Sequence, residues 1–157
     1  MNIIAKLEQE MAVLSQFSSG EHTLEASAGG VSLNCRLVAL DTLACAFSTL
    51  SVQSPALAAR SGDQLKKLAE SLAAKLNYLL EPIRPIEHDA DVVQLRSNPP
   101  QKTPERTTYY ELLVAKRGEL VLTRYSRPAG QVREVIPAQV TREVLLRLAG
   151  DLAAAAS

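Results

Sequence analysis

The feature that most constrains this chain is the order in which its apolar periodicity changes. Apolar residues recur first at helical spacing, then at strand spacing. They return to helical spacing in a leucine-rich stretch, alternate again, and end on a helical pattern. The order is helix, three strands, helix, four or five strands, helix. Hairpin signals join the strands, so the expected class is α+β with antiparallel sheet.

In the first helix Ile3, Ile4, Leu7, Met11 and Leu14 fall on one face, and the pattern runs over residues 1–17. Ser18, Ser19 and Gly20 end it. A short strand is expected at 22–27, and Gly29-Gly30 marks a turn that tolerates positive φ. Val31, Leu33, Cys35 and Leu37 then alternate with polar or small residues, as do Leu43, Cys45 and Phe47. Asp41-Thr42 is the turn between these runs. Opposed residues in a hairpin share a face, so an even loop would mix buried and exposed positions. A loop of three or so residues is predicted, with Leu37 against Cys45 and Cys35 against Phe47. After Thr49 the apolar phase moves to Leu50 and Val52, which calls for a bulge or a strand end.

Ser61 to Gln64 has the form of a capping box and opens a helix over 65–80. Its leucines span an arc of roughly 140°, wide enough to cover a sheet. Ala74 and Tyr78 stand on the other side, with Lys67, Glu70 and Ser71. Pro82 and Pro85 close the helix. A hairpin follows over 83–87 and 92–97, with Asp89-Ala90-Asp91 at its tip. Residues 97–106 are polar and proline-rich and read as a mobile connection. The clearest hairpin joins 107–115 to 119–125 through Lys116-Arg117-Gly118. Residues 126–130 read as a loop and 132–136 as a last strand. Thr141 can cap the final helix, in which Val144, Leu145, Leu148 and Leu152 make the stripe and Leu146 points elsewhere. Neither half can bury its own sheet face, so all 157 residues read as one domain.

The chemistry is sparse. There is no G-x-S-x-G, phosphate-binding loop or G-x-G-x-x-G, and the chain holds only two histidines. Glu87-His88-Asp89-Ala90-Asp91 offers metal-ligating atoms, but a polar hairpin tip explains it more simply. Cys35 and Cys45 fit no metal or C-x-x-C spacing and read as buried, reduced thiols. No metal, cofactor or catalytic residue is assigned. Lys and Arg total 17, and Asp and Glu also total 17, so a general polyanion binder is not expected. Residues 101–133 are locally basic, through Lys102, Arg106, Lys116, Arg117, Arg124, Arg127 and Arg133. Tyr109, Tyr110 and Tyr125 are interleaved. That mixture suits an anionic ligand. The plainer reading is a solvated sheet face whose cations blunt an edge.

The element order resembles the small α+β fold of type III secretion chaperones over most of the chain. The resemblance implies a homodimer without catalysis, a dimer contact on the middle helix and adjoining strand, and an outer surface that holds an unfolded client. Ala74 and Tyr78 would suit that contact. The chain departs from those chaperones in being neutral where they are acidic, and in its longer second strand run.

Two functions follow. The first is a non-enzymatic binding or scaffold protein, a homodimer with a possible protein client. The second is a module that binds nucleic acid or a phosphorylated ligand through Lys116, Arg117, Arg124 and Arg127, abolished by charge reversal at Arg124 and Arg127. No apolar run reaches the roughly 18 residues of a membrane span, and the N-terminal pattern is not that of a signal peptide. A cytoplasmic location is expected.

Overall fold

Gly29 and Gly30 take φ of +58° and +80°, the backbone that a two-residue hairpin needs and that a Cβ resists. The computed structural model describes residues 2–14 and 20–157. It places this turn between β1 (His22–Ala28) and β2 (Val31–Leu40). The first helix, α1, is Ile3–Leu14, with Ile3, Leu7 and Met11 buried. Its expected end at Ser18 and Ser19 lies outside the described residues.

Three residues, Asp41, Thr42 and Leu43, lead to β3 (Ala44–Gln53). The Asp41 carboxylate accepts from the backbone N–H of Leu43 and Ala44, at 2.8 Å each. The Ala44 and Leu43 amides hold its carboxyl below the ordinary range. The loop length is the one expected, but the pairing is not. Leu37 opposes Phe47 and Cys35 opposes Leu50. Ser48 is an extra residue on β3 and Val38 an extra one on β2. The bulge expected near Thr49 is therefore present at Ser48, and it carries the buried phase from Phe47 to Leu50 and Val52. Burial pushes the Cys35 thiol up to about 12 and the Cys45 thiol up to about 11, so both are neutral near pH 7.

A short helix missed by periodicity, α2 (Pro55–Ala58), is capped by the Ser54 hydroxyl, which accepts from Leu57 N–H. The middle helix α3 (Gly62–Lys75) opens on the expected capping box of Ser61 and Gln64. It ends five residues short of Leu80. Leu76 has ψ of +52° and is fully buried, which turns the chain toward the sheet, where Ile83 is buried as well. Leu80 is 69% exposed rather than in the leucine arc.

Seven strands follow where four or five were expected. They are β4 (Ile83–His88), β5 (Val92–Ser97), β6 (Gln101–Lys102), β7 (Arg106–Ala115), β8 (Glu119–Pro128), β9 (Glu134–Ile136) and β10 (Ala138–Thr141). The polar stretch read as mobile contains β6, because Gln101 and Lys102 pair with Thr108 and Thr107. Such a strand lies outside the packed interior and shows no apolar alternation. The last helix, α4 (Arg142–Ala156), is capped by Thr141 as expected. Leu146 packs against the core instead of standing free.

All pairings are antiparallel, and the main path runs β1-β2-β3-β8-β7-β5-β4. β10 pairs with one end of β3 and β9 with one end of β8, at the place where β3 and β8 part. The register sets Leu24, Cys35, Leu50, Leu122, Leu112 and Leu95 in one cross-strand row. Ala26, Leu33, Val52, Leu120, Val114 and Val93 form the next. Both rows are buried. α1 packs on β1 and α4, α3 on β4, β5 and β7, and α4 on β2, β3, β8 and β10. The result is an α+β fold in which helices cover one face of a large antiparallel sheet. The alternate residues of the same strands form an outer face that no described helix covers.

Candidate functional site

The outer face is mostly polar at the β1–β3 end, with Glu25, Asn34 and Ser51 in one row. Across β5, β7 and β8 it changes character. Tyr109 opposes Tyr125, and Glu111 lies between Arg96 and Thr123. Glu111 points away from the helices, yet it is only 3% exposed. A carboxylate closed off in this way needs donors. It has three, all on Oε2: Gln94 Nε2 at 2.9 Å, Arg133 at 2.6 Å and Arg96 at 3.4 Å.

Local backbone brings Arg133 there. Gly130 has φ of +72° and Gln131 N–H donates to the Pro128 carbonyl, which reverses the chain. β9 then pairs back on β8, Tyr125 facing Val135. The Arg133 guanidinium lies 3.8 Å over the Tyr125 ring and that of Arg96 lies 4.7 Å over Tyr109. The two rings are 5.9 Å apart. Burial pulls the Arg133 pKa down, but hydrogen bonds to Glu111 and Tyr109 outweigh it and hold the pKa above its ordinary value. Each guanidinium so stacked gains about 0.5–1 kcal/mol at an exposed site. One carboxylate therefore holds two cations over two aromatic rings.

The four basic residues singled out from sequence do not come together. Arg124 is buried on the helix side, 5% exposed. It makes a two-pronged ion pair with Glu81, at 3.0 and 3.1 Å, and stacks on Tyr110 at 4.4 Å. Ser97 donates to the same carboxylate and accepts from Tyr110 N–H. Arg117 pairs with Glu119 at 2.7 Å. Lys116 and Arg117 sit at the turn, while Arg127 opposes Thr107 eight residues along the strand. That separation is about 27 Å. Nor do these cations blunt an edge, since β7 and β8 lie inside the sheet. Asp89, at the tip weighed as a metal site, accepts from the N–H of Asp91 and Val92, as a turn aspartate does.

The helical placement of Tyr78, one of the two residues proposed for self-association, needs correction. Ala74 is exposed on α3, but Tyr78 lies beyond that helix. Its hydroxyl donates to Asp151 at 2.7 Å, and Arg147 lies 4.0 Å over its ring. Its ring is half-buried between α4 and the end of α3, so it is occupied within the chain. Tyr78→Phe is expected to lose about 1–2 kcal/mol in a urea titration and to leave the mass by light scattering unchanged. A variant that changes its mass without losing stability would restore the dimer contact.

Arg96 and Arg84 lie outside the basic segment 101–133 that composition picks out. The two-residue alternation Thr107, Tyr109, Glu111 was the available signal that these share a face. Comparison with family models, with curated proteins and with solved structures finds no match to this chain.

Proposed function

We propose that this chain is a non-enzymatic binding protein of the cytoplasm, and that it engages its partner through the outer face of β5, β7 and β8. The observation that carries this reading is the Glu111 cluster. An outward carboxylate closed over by two stacked arginines is an arrangement that fixes cations before a partner arrives, and preorganised groups lose less freedom on binding. The anionic-ligand alternative survives in altered form, with Arg96, Arg133, Arg127 and Lys102 in place of Arg124 and Arg117. A homodimer, which the secretion-chaperone likeness implies, is admitted by this reading but not through Tyr78.

The test uses the tagged full chain as bait in lysate of its own source. The double variant Lys102→Glu, Arg127→Glu changes two exposed cations of the outer face that make no ion pair among the described residues. Wild-type chain is expected to retain a protein partner that the variant loses. Equal capture by both moves the binding surface elsewhere. A bait that captures nothing sinks the reading.

A further inference from the structure

The outer face has an order that points to the chemistry of its partner. Along β7 and β8 three successive rows share that face. In the first, Arg84 opposes Arg96, which opposes Glu111. In the second, Tyr109, Tyr125 and Val135 are neighbours. In the third, Lys102 and Arg127 flank Thr107. Arg133 lies above the second row, on the Tyr125 ring. The first and third rows are therefore cationic, and the exposed apolar group of the second is Val135.

Two details show an excess of cations over acidic partners in these rows. Arg84 directly opposes Arg96, an unfavourable pairing of like charges. Arg84, Lys102 and Arg127 form no ion pair among the described residues. Glu111 is the one acidic group in these rows, and its exposed area is already closed by Arg96 and Arg133.

Rows two residues apart along a strand are separated by about 6.8 Å. An extended peptide presents alternate side chains to one side at the same interval. From this we infer that the face docks an extended protein segment of the pattern acidic, x, apolar, x, acidic. The two acids meet the first and third rows, where arginine can grip a carboxylate with two parallel N–H bonds. The apolar residue meets the second row beside Val135, which is 51% exposed. A single-stranded nucleic acid fits less well. It binds by stacking bases on open aromatic faces, and here guanidiniums cover Tyr109 and Tyr125. This inference rests on the outer face being the binding surface.

The experiment is fluorescence anisotropy with labelled synthetic peptides at low salt. The probe is Glu-Ser-Val-Ser-Glu flanked by serines, and the controls are Lys-Ser-Val-Ser-Lys and the respaced Glu-Glu-Ser-Val-Ser. Oligothymidylate is the fourth ligand. The first peptide is expected to bind, the lysine peptide not at all, and the respaced peptide more weakly. Lys102→Glu with Arg127→Glu should weaken the first by about tenfold or more, while Lys67→Glu on α3 should not change it. Thermal melts by circular dichroism show whether the double variant is folded. No binding of the first peptide, equal binding of the two acidic peptides, or tighter binding of oligothymidylate would each overturn the inference. If the peptide fails while capture from lysate still depends on Lys102 and Arg127, the pattern is wrong and the surface stands.

Discussion

Arg124→Met is expected to cost about 3–5 kcal/mol, because it strands a buried carboxylate without its partner. Glu81 and Arg124 are 5% exposed each. Their two hydrogen bonds and the Ser97 bond satisfy one another, so removing the guanidinium leaves Glu81 with one hydroxyl donor. The urea midpoint should fall sharply with the slope unchanged. Replacing both members, as Glu81→Leu with Arg124→Met, should recover much of the loss, since the cost lies in the uncompensated charge. If the single variant melts like wild type, the pair is not structural. The result also bears on binding. Charge reversal at Arg124 would unfold the β7–β8 end of the core, and lost binding in such a variant would say nothing about the outer face.

Gly118→Ala should be nearly as damaging. Gly118 closes the β7–β8 turn with φ of +99°. A Cβ there would lie 2.7 Å from the Ser54 carbonyl oxygen and 2.8 Å from Ala58 Cβ. The dihedral alone costs about 1–3 kcal/mol, and forcing atoms into a packed site adds about 1–3 kcal/mol. The Ser54 backbone has little room to yield. Its N–H donates to the Gly118 carbonyl, and its hydroxyl both caps α2 and donates to the Ala156 carbonyl. The loss should appear in thermal and urea melts alike. Gly130→Ala is the control, with positive φ but nothing within 4 Å of the added carbon; it should lose only the dihedral part. Equal losses in the two variants would mean that the contact with Ser54 and Ala58 is relieved by relaxation.

What was legible in the sequence was local. Gly29-Gly30, the Ser61 capping box and the Thr141 cap each fix a few dihedrals through near neighbours, and each stands where the pattern put it. The slip of phase at Leu50 was readable as a bulge. What was not legible depends on distant pairing. Whether Tyr110 or Tyr109 faces the helices is decided by β3 and β5 on either side of the hairpin, and so the basic segment could not be sorted into inside and outside. Arg124 therefore looked like its neighbours Arg117 and Arg127, though its partner Glu81 lies 43 residues away. Tyr78 was misplaced because a run of leucines extends the helical pattern beyond the residue at which the backbone leaves it. The alternation Thr107, Tyr109, Glu111 marked a shared face but not the burial of Glu111, since its three donors come from β5 and from the loop before β9.

The parting of β3 from β8 governs how the chain must assemble. One edge of β3 is closed along its length by β10 and β8, which arrive at least 66 residues later in the chain. Until those residues are made, the first three strands present a bare row of amides and carbonyls, and the core face that α4 covers stays open. Such distant pairing is slow to form, and an unpaired edge is a template for other chains while it waits. During synthesis the amino-terminal half is thus the part most in need of protection, and its safety depends on the last third of the sequence.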